Sequence, residues 1–277
     1  MLRNIFLKSI RDSRYTFLYV FLTYLFVCSL IMYVVSELPL NEIQIIFEKL
    51  QLPEPLMSFI GGEGGLNLTT VEGILNTDMF TVFAPLISIG FSIYYGFNSS
   101  FKEEEKKYID IILSTKITRE SFLIQKILSM IFKNLIISYS LFFSIIISTY
   151  FFDLTINLWN VFAVCFYLFL LSSTLGIMTI FFSTFLKKSN YVYGIPSSIA
   201  IISYIIYSIE PLIESFKEIK YVSLFYFYKG HDPLNNGFHP WYWIIFVLVS
   251  IIFASMSLYY WKLRAVSYTH LTLPTNA

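Results

Sequence analysis

The sequence predicts an all-α membrane protein: six transmembrane helices, an N-terminal amphipathic interfacial helix before them, and both termini cytoplasmic. Three observations carry that reading. Hydrophobic residues make up 56% of the 277 and charged residues only 13%, about half the charged share of an ordinary soluble domain. The apolar residues fall into six blocks, 15–35, 79–97, 134–152, 160–185, 191–209 and 241–261, none containing Asp, Glu, Lys or Arg. Each is close to the roughly 20 residues a helix needs to cross a hydrocarbon core about 30 Å thick. With the N-terminus inside, only Lys49, Lys217, Lys220 and Lys229 fall on the outer side, and the other 15 of the 19 Lys and Arg fall on the cytoplasmic side, as the positive-inside rule requires.

Residues 2–14 should form a short helix in the membrane interface. Leu2, Ile5, Phe6 and Ile10 share one face, while Arg3, Lys8, Arg11 and Arg14 lie off it, near lipid headgroups. A plain basic flank that sets topology is the simpler alternative. The first block is longer than the apolar part of a secretory signal, and no small-residue cleavage site follows, so it is expected to be retained.

The connection 36–78 is long and acidic. Ile43, Ile46, Phe47 and Leu50 repeat at helical spacing, and Asn41 with Gln44 three residues on suits an N-cap, so residues 41–50 should be a helix with one apolar side. Gly61, Gly62, Glu63, Gly64 and Gly65 look at first like a phosphate loop. They lack the following Gly-Lys-Ser/Thr and read as a flexible turn. Asn67, Leu68 and Thr69 form a glycosylation acceptor, relevant only in a host that glycosylates.

"FKEEEKKYIDIILSTKITRESFLIQK", residues 101–126, is the most charged stretch. Residues 101–113 can form one helix with Glu103, Glu104 and Glu105 in its first half, where negative charge suits the helix dipole. Ser114, Thr115 and Lys116 should break it, and Thr118 can cap a second helix over 119–126 that leads toward the third span. Two short helices with a sharp bend suit docking into a groove on a soluble partner. A solvated connecting loop is the other reading, and the residues alone do not separate the two.

In the connection 210–240, Leu212, Ile213, Phe216 and Ile219 suggest another interfacial helix, and the aromatics of "SLFYFYKGHDPLNNGFHPWYW" suggest a belt at headgroup depth. His231, Asp232 and His239 fall short of a metal-site pattern. Gly194, Pro196, Ser197 and Ser198, with Ala200, form a small-residue stretch in the fifth span suited to close helix contact, possible in a dimer. Cys28 and Cys165 both lie inside spans and read as small packing residues. The last twelve residues, "VSYTHLTLPTNA", abandon the hydropathy pattern and resemble a translated sequencing-library adapter. Residues 1–265 are therefore taken as a single domain and 266–277 as a non-native tail, with the native C-terminus missing.

The charged stretch also resembles the segment between the second and third spans of ABC-2-type transporter permeases. That family shows Glu-Glu-x-x-Gly-Thr-Leu-Glu-x-Leu-Leu-x-x-Pro-Val-Ser-Arg, then an apolar run to a Lys. Here Glu104 and Glu105 match the acidic pair, and Ile109, Asp110, Ile112 and Leu113 occupy the Leu-Glu-x-Leu-Leu positions. Ile117, Thr118 and Arg119 match Val-Ser-Arg, and Lys126 matches the Lys, whereas Lys107 and Tyr108 replace Gly-Thr and Lys116 replaces Pro. "SLFYFYKGHDPLNNG" is similar to the family's Ser-Pro-Phe-Tyr-Tyr-Tyr-x-Gly-x-Asp-Pro-Leu-x-Asn-Gly before the last span, with Leu224 where Pro is usual.

The resemblance implies the transmembrane subunit of an ABC exporter in the cell membrane of a prokaryote. It implies pairing with a second permease subunit, alike or different, and with cytoplasmic ABC ATPase subunits. The coupling loop would use Glu103, Glu104, Glu105, Tyr108, Ile109, Ile112, Leu113, Ile117, Thr118 and Arg119. The chain has no Gly-x-x-x-x-Gly-Lys-Ser/Thr of its own, so it should not be an enzyme. It should bind no cofactor, leaving ATP and Mg to the partner ATPase.

Other classes fit less well. Ion-coupled transporters place charges inside their spans, and an intramembrane hydrolase needs a nucleophile with a base or metal at that depth, whereas His231, His239 and His270 all lie outside the six blocks. A formal net charge of +1 suggests no nucleic-acid partner. A passive channel or membrane scaffold is the remaining alternative. ABC-2 relatives handle diverse cargo; charge-free spans favour a hydrophobic or amphipathic one.

Overall fold

The computed structural model describes residues 5–37, 70–105, 118–186, 188–213 and 218–269, with isolated positions 45, 49 and 53. Among these residues every regular element is helical. In order they are α1 (Ile5–Asp12), α2 (Arg14–Glu37), α3, α4 (Arg119–Phe151), α5 (Leu158–Phe185), α6 (Ser189–Ile209), α7 (Leu224–Lys229), α8 (Pro233–Asn236) and α9 (Tyr242–Thr269). The second span, α3, joins an α-helical turn Val71–Ile74, a π-helical stretch Leu75–Phe83 and an α-helical remainder Ala84–Glu105. Six helices are long and apolar enough to cross a membrane, which makes this a multi-pass membrane protein by length and composition. The expected helix over 41–50, the turn at 61–65 and the acceptor at Asn67 fall outside the described residues, apart from helical Ile45 and Lys49.

The spans alternate in direction, so one end of the bundle carries α1, the 105–118 connection and the last turns of α9; this is the basal end. The distal end carries the connections 152–157 and 210–241. α5 is the most enclosed helix, packed against α3, α4, α6 and α9. Its sequence suits that place, because Ser172, Ser173, Thr174, Gly176, Thr179, Ser183 and Thr184 are all buried. Lipid tails give helices no apolar reason to associate, so small residues that allow close approach carry the packing. A Cβ at Gly96 of α3 would stand 2.8 Å from the Gly176 carbonyl oxygen of α5, so only glycine lets the two backbones meet there.

A polar clasp lies next to that contact. Asn134 of α4 donates through Nδ2 to Ser92 Oγ of α3 at 2.8 Å and to Ser173 Oγ of α5 at 3.4 Å. Ser92 Oγ in turn donates to the Ser172 carbonyl at 2.5 Å. Three spans are thus pinned by one amide, worth about 0.6–2 kcal/mol per interhelical bond.

Two helices outrun the bilayer. α4 has 33 residues, about 50 Å of helix at 1.5 Å per residue. That exceeds the hydrocarbon core by about 20 Å. Its charged residues, Arg119, Glu120, Lys126 and Lys133, all lie in its first half, so the excess projects from the basal end. The basal part of α3 likewise continues through Glu105. The second helix expected over 119–126 is therefore not separate; it is the first part of the third span.

The connection before the last span also differs from expectation. Ile213 is extended, with φ −128° and ψ 112°, and the chain forms two short 3-10 turns, Glu210–Leu212 and Ile219–Val222. No continuous helix carries Leu212 and Ile219 on one face. Of the aromatics expected to form a belt, Phe225, Tyr226, Phe227 and Tyr228 are buried, whereas Trp241 and Trp243 are exposed. Tyr150, Phe151, Trp159 and Tyr221 are further exposed aromatics at this end.

Candidate functional site

Two regions carry the residues that sequence reasoning singled out. At the basal end, Glu103, Glu104 and Glu105 lie on the last turn of α3. Tyr108, Ile109, Ile112, Leu113 and Ile117 lie outside the described residues. Thr118 caps α4 as its chemistry predicts: extended at φ −73°, ψ 151°, it accepts a hydrogen bond from Ser121 N at 3.2 Å, and Arg119 opens the helix.

The projecting part of α4 is braced on two sides. From α1, the Ile5 amide donates to Gln125 Oε1 at 3.0 Å, Ser129 Oγ donates to Ser9 Oγ at 3.3 Å, and Phe6 meets Phe132 with ring centroids 5.8 Å apart. From α9, Trp261 stacks on Phe122 at 6.3 Å, and Lys262 pairs with Glu120 at 3.0 Å. That ion pair is solvent-exposed and contributes little by itself. Deeper in, Lys133 Nζ sits 4.4 Å from the ring centre of Tyr95 on α3, a cation–π contact worth about 0.5–2 kcal/mol. Lys126 and Lys133 are both buried, which the sequence, placing them on a cytoplasmic flank, does not predict.

At the distal end, α7 and α8 form a helical hairpin folded back against the bundle. Ser223 starts it, accepting from Tyr226 N at 3.1 Å, while its hydroxyl donates to the Ser203 carbonyl of α6 at 2.6 Å. Asp232 adopts a left-handed conformation at φ 49°, and Gly237 ends the hairpin at φ 72°. A side chain at Gly237 would be strained there and would also approach Asn160 Oδ1 at 3.2 Å.

This hairpin supplies what the π-helical stretch of α3 lacks. A π-helix pairs each carbonyl with the amide five residues on, and for Phe80 that residue is Pro85, which has no N–H. The buried Tyr228 hydroxyl donates to the Phe80 carbonyl instead, at 2.8 Å. Lys229, also buried, donates to the Asn76 carbonyl at 3.1 Å and to Asn76 Oδ1. Asn76 Nδ2 donates to Asp232 Oδ1 at 3.2 Å, and Asn235 Nδ2 donates to Asp232 Oδ2 at 2.5 Å. Burial pushes the Lys229 ammonium down to about 7, against the weaker opposing attraction of Asp232. Burial likewise holds the His231 imidazole below the usual histidine range, outweighing its hydrogen bond to the Gly237 carbonyl.

The small-residue stretch of α6 divides between two faces. Pro196 and Ala200 are buried in the bundle, Ser198 is exposed, and a Cβ at Gly194 would meet nothing within 4 Å. Ser197 and Ala200 join Pro85, Ile89, Gly90 and Tyr204 in lining an apolar cleft of about 350 Å³ between α3 and α6. Among the described residues no group of three His, Cys, Asp or Glu could hold a metal.

Sequence reasoning missed the Lys229–Asn76–Asp232 network and the π-helical stretch. The visible signal was Pro85 inside an apolar block, with Asn76, Thr77 and Asp78 just before it. No protein-family model, curated protein or solved structure matches this chain.

Proposed function

We propose that the chain is the membrane-spanning permease subunit of an ABC-2-type exporter, which moves its cargo out of the cytoplasm using ATP hydrolysed by a separate subunit. One observation supports this most: α3 and α4, the two helices that flank the charged residues 106–117, both continue past their apolar blocks at the basal end, and α4 is braced there by α1 and α9. A linker needs no such support, whereas a segment that must receive force does. The order of the two family-like motifs relative to the six helices agrees with this reading.

In this reading the basal end is cytoplasmic, both termini included, and α1 lies in the membrane interface with its basic residues toward anionic headgroups. A second permease subunit completes the pathway, and the chain resides in the cell membrane of a prokaryote. Glu103, Glu104, Glu105 and Arg119 set the register of docking on the ATPase, and Ile109, Ile112 and Leu113 provide apolar anchors.

Co-expression with an ABC ATPase encoded beside its gene tests the assignment. The two should co-purify, and the double variant Glu104→Lys, Glu105→Lys should abolish stimulation of the ATPase while membrane insertion stays normal. Co-purification failure, or full stimulation by the double variant, would overturn it in favour of a channel or scaffold.

A further inference from the structure

His231 lies on the distal hairpin in a site built for its neutral form. Its Nε2 is 3.0 Å from the Gly237 carbonyl oxygen, and a carbonyl can only accept, so Nε2 carries the hydrogen and Nδ1 the lone pair. Nδ1 is buried without a hydrogen-bond partner. The ring packs edge-on to Tyr167 of α5 at 5.0 Å and to Tyr242 of α9 at 5.2 Å, with His239 at 5.4 Å. A proton on Nδ1 would create both a charge and a donor, with no acceptor to receive it. A buried charge without a partner is among the costliest arrangements in a folded chain.

The groups around this ring do not remove that cost. Asp232, on the same hairpin, favours the charge, but its two oxygens are taken by Asn76 and Asn235. His239 opposes it, and its Nδ1 already accepts from Trp241 N at 3.3 Å. Tyr167 uses its hydroxyl on the His239 backbone, donating to the carbonyl and accepting from the amide, both at 3.0 Å. The Tyr242 hydroxyl donates to Tyr226. Lys229, held by Asn76 of α3, adds a second cation to the same hairpin, and Asp78 belongs to the π-helical stretch facing it.

We propose that the hairpin of residues 223–237 is a proton-sensitive clasp, kept shut on α3 and α5 by neutral His231 and released when Nδ1 takes a proton. The sign follows from linkage. A histidine that is solvated in the open state and held neutral in the closed state binds its proton more tightly when open, so acid favours opening. The closed form is favoured above the ordinary histidine range and loses ground as pH falls through it. Tyr167 packs against the ring and is bonded to the His239 backbone, so that contact loosens first; the bonds of Tyr228 to Phe80 and of Lys229 and Asp232 to Asn76 are the remaining ties to α3 that opening must break. The proposal does not depend on the exporter assignment or on which side of the membrane the hairpin faces.

Hydrogen exchange on the full chain in lipid nanodiscs, corrected for the chemical exchange rate, tests it. Protection of the α7 amides should fall on the order of tenfold between about pH 7.5 and about pH 5.5. His231→Gln keeps a side-chain amide donor for the Gly237 carbonyl but cannot titrate in this range. It should match the native chain at the higher pH and show less than half of the fall. His239→Gln should keep the fall. A native chain whose protection does not change with pH, a His231→Gln chain that keeps half or more of the fall, or loss of the response in His239→Gln each overturns the proposal. Should His231→Gln fail to fold, NMR titration of the native imidazole decides instead: a midpoint below about 6.5 supports the clasp and one above it overturns it.

Discussion

Pro85 shows how one residue can oblige another 143 positions away in sequence. It removes the amide that would serve Phe80, and Tyr228 replaces it. Tyr228→Phe should therefore leave a buried carbonyl unserved and cost about 1–3 kcal/mol, read as a lowered midpoint of thermal unfolding in detergent. Gly96→Ala should cost a similar amount or more, because its new Cβ would overlap the Gly176 carbonyl and Thr179. Lys229 sets a pH dependence. Its ammonium titrates near 7 when folded against 10.5 in an unfolded chain, so the unfolded state holds more protons between those values. Stability from this group then rises with pH across that window, and Lys229→Met should flatten the slope of unfolding midpoint against pH there. None of these three roles is legible from spacing. Tyr228 reads as a belt residue because aromatic clusters near a span normally face headgroups, Lys229 reads only as one of four outer-side lysines, and the helical defect they repair is invisible until the carbonyls of α3 have positions.

Elements were more legible than residues. Six charge-free blocks announce six helices because hydrocarbon tolerates little else, and Thr118 announces the start of α4 through its capping hydroxyl. Ends were less legible: α3 begins at Val71, capped by Thr70, and so takes in Glu72 and Asp78, which an apolar count excludes. α9 runs to Thr269, past residue 265 where the pattern breaks. Hydropathy senses the bilayer, not the helix, so it underestimates any helix that leaves the membrane. Thr118→Ala should remove about 1 kcal/mol from the start of α4. Faster amide exchange over the first turn of α4, with the middle of the helix unchanged, checks it. Exchange that rises uniformly would instead mean that the cap governs the whole span.

For the whole molecule, the distribution of Lys and Arg makes a prediction about sidedness that composition alone cannot. A cysteine placed at Ser114 should react with a membrane-impermeant thiol reagent applied from the cytoplasm, and one placed at Asn67 should not. The native Cys28 and Cys165 are buried and give little background. The reverse pattern would invert the topology and remove the basis for an ATPase partner. The six membrane-crossing helices could be drawn from sequence. The clasp of Asn134 on Ser92 and the folded-back hairpin could not, because they join residues whose separation in the chain carries no periodic signal.

The contrast between α3 and α4 has a mechanical consequence. α4 contains neither glycine nor proline between Arg119 and Phe151, so a sideways push at its tip swings it as a stiff lever and reaches the far leaflet undiminished. α3, interrupted by its wide turn and Pro85, has a built-in elbow, and Tyr228 and Lys229 act as the splint. Force entering both tips equally would thus leave the bundle unequally, as rotation along one rod and as flexure in the other.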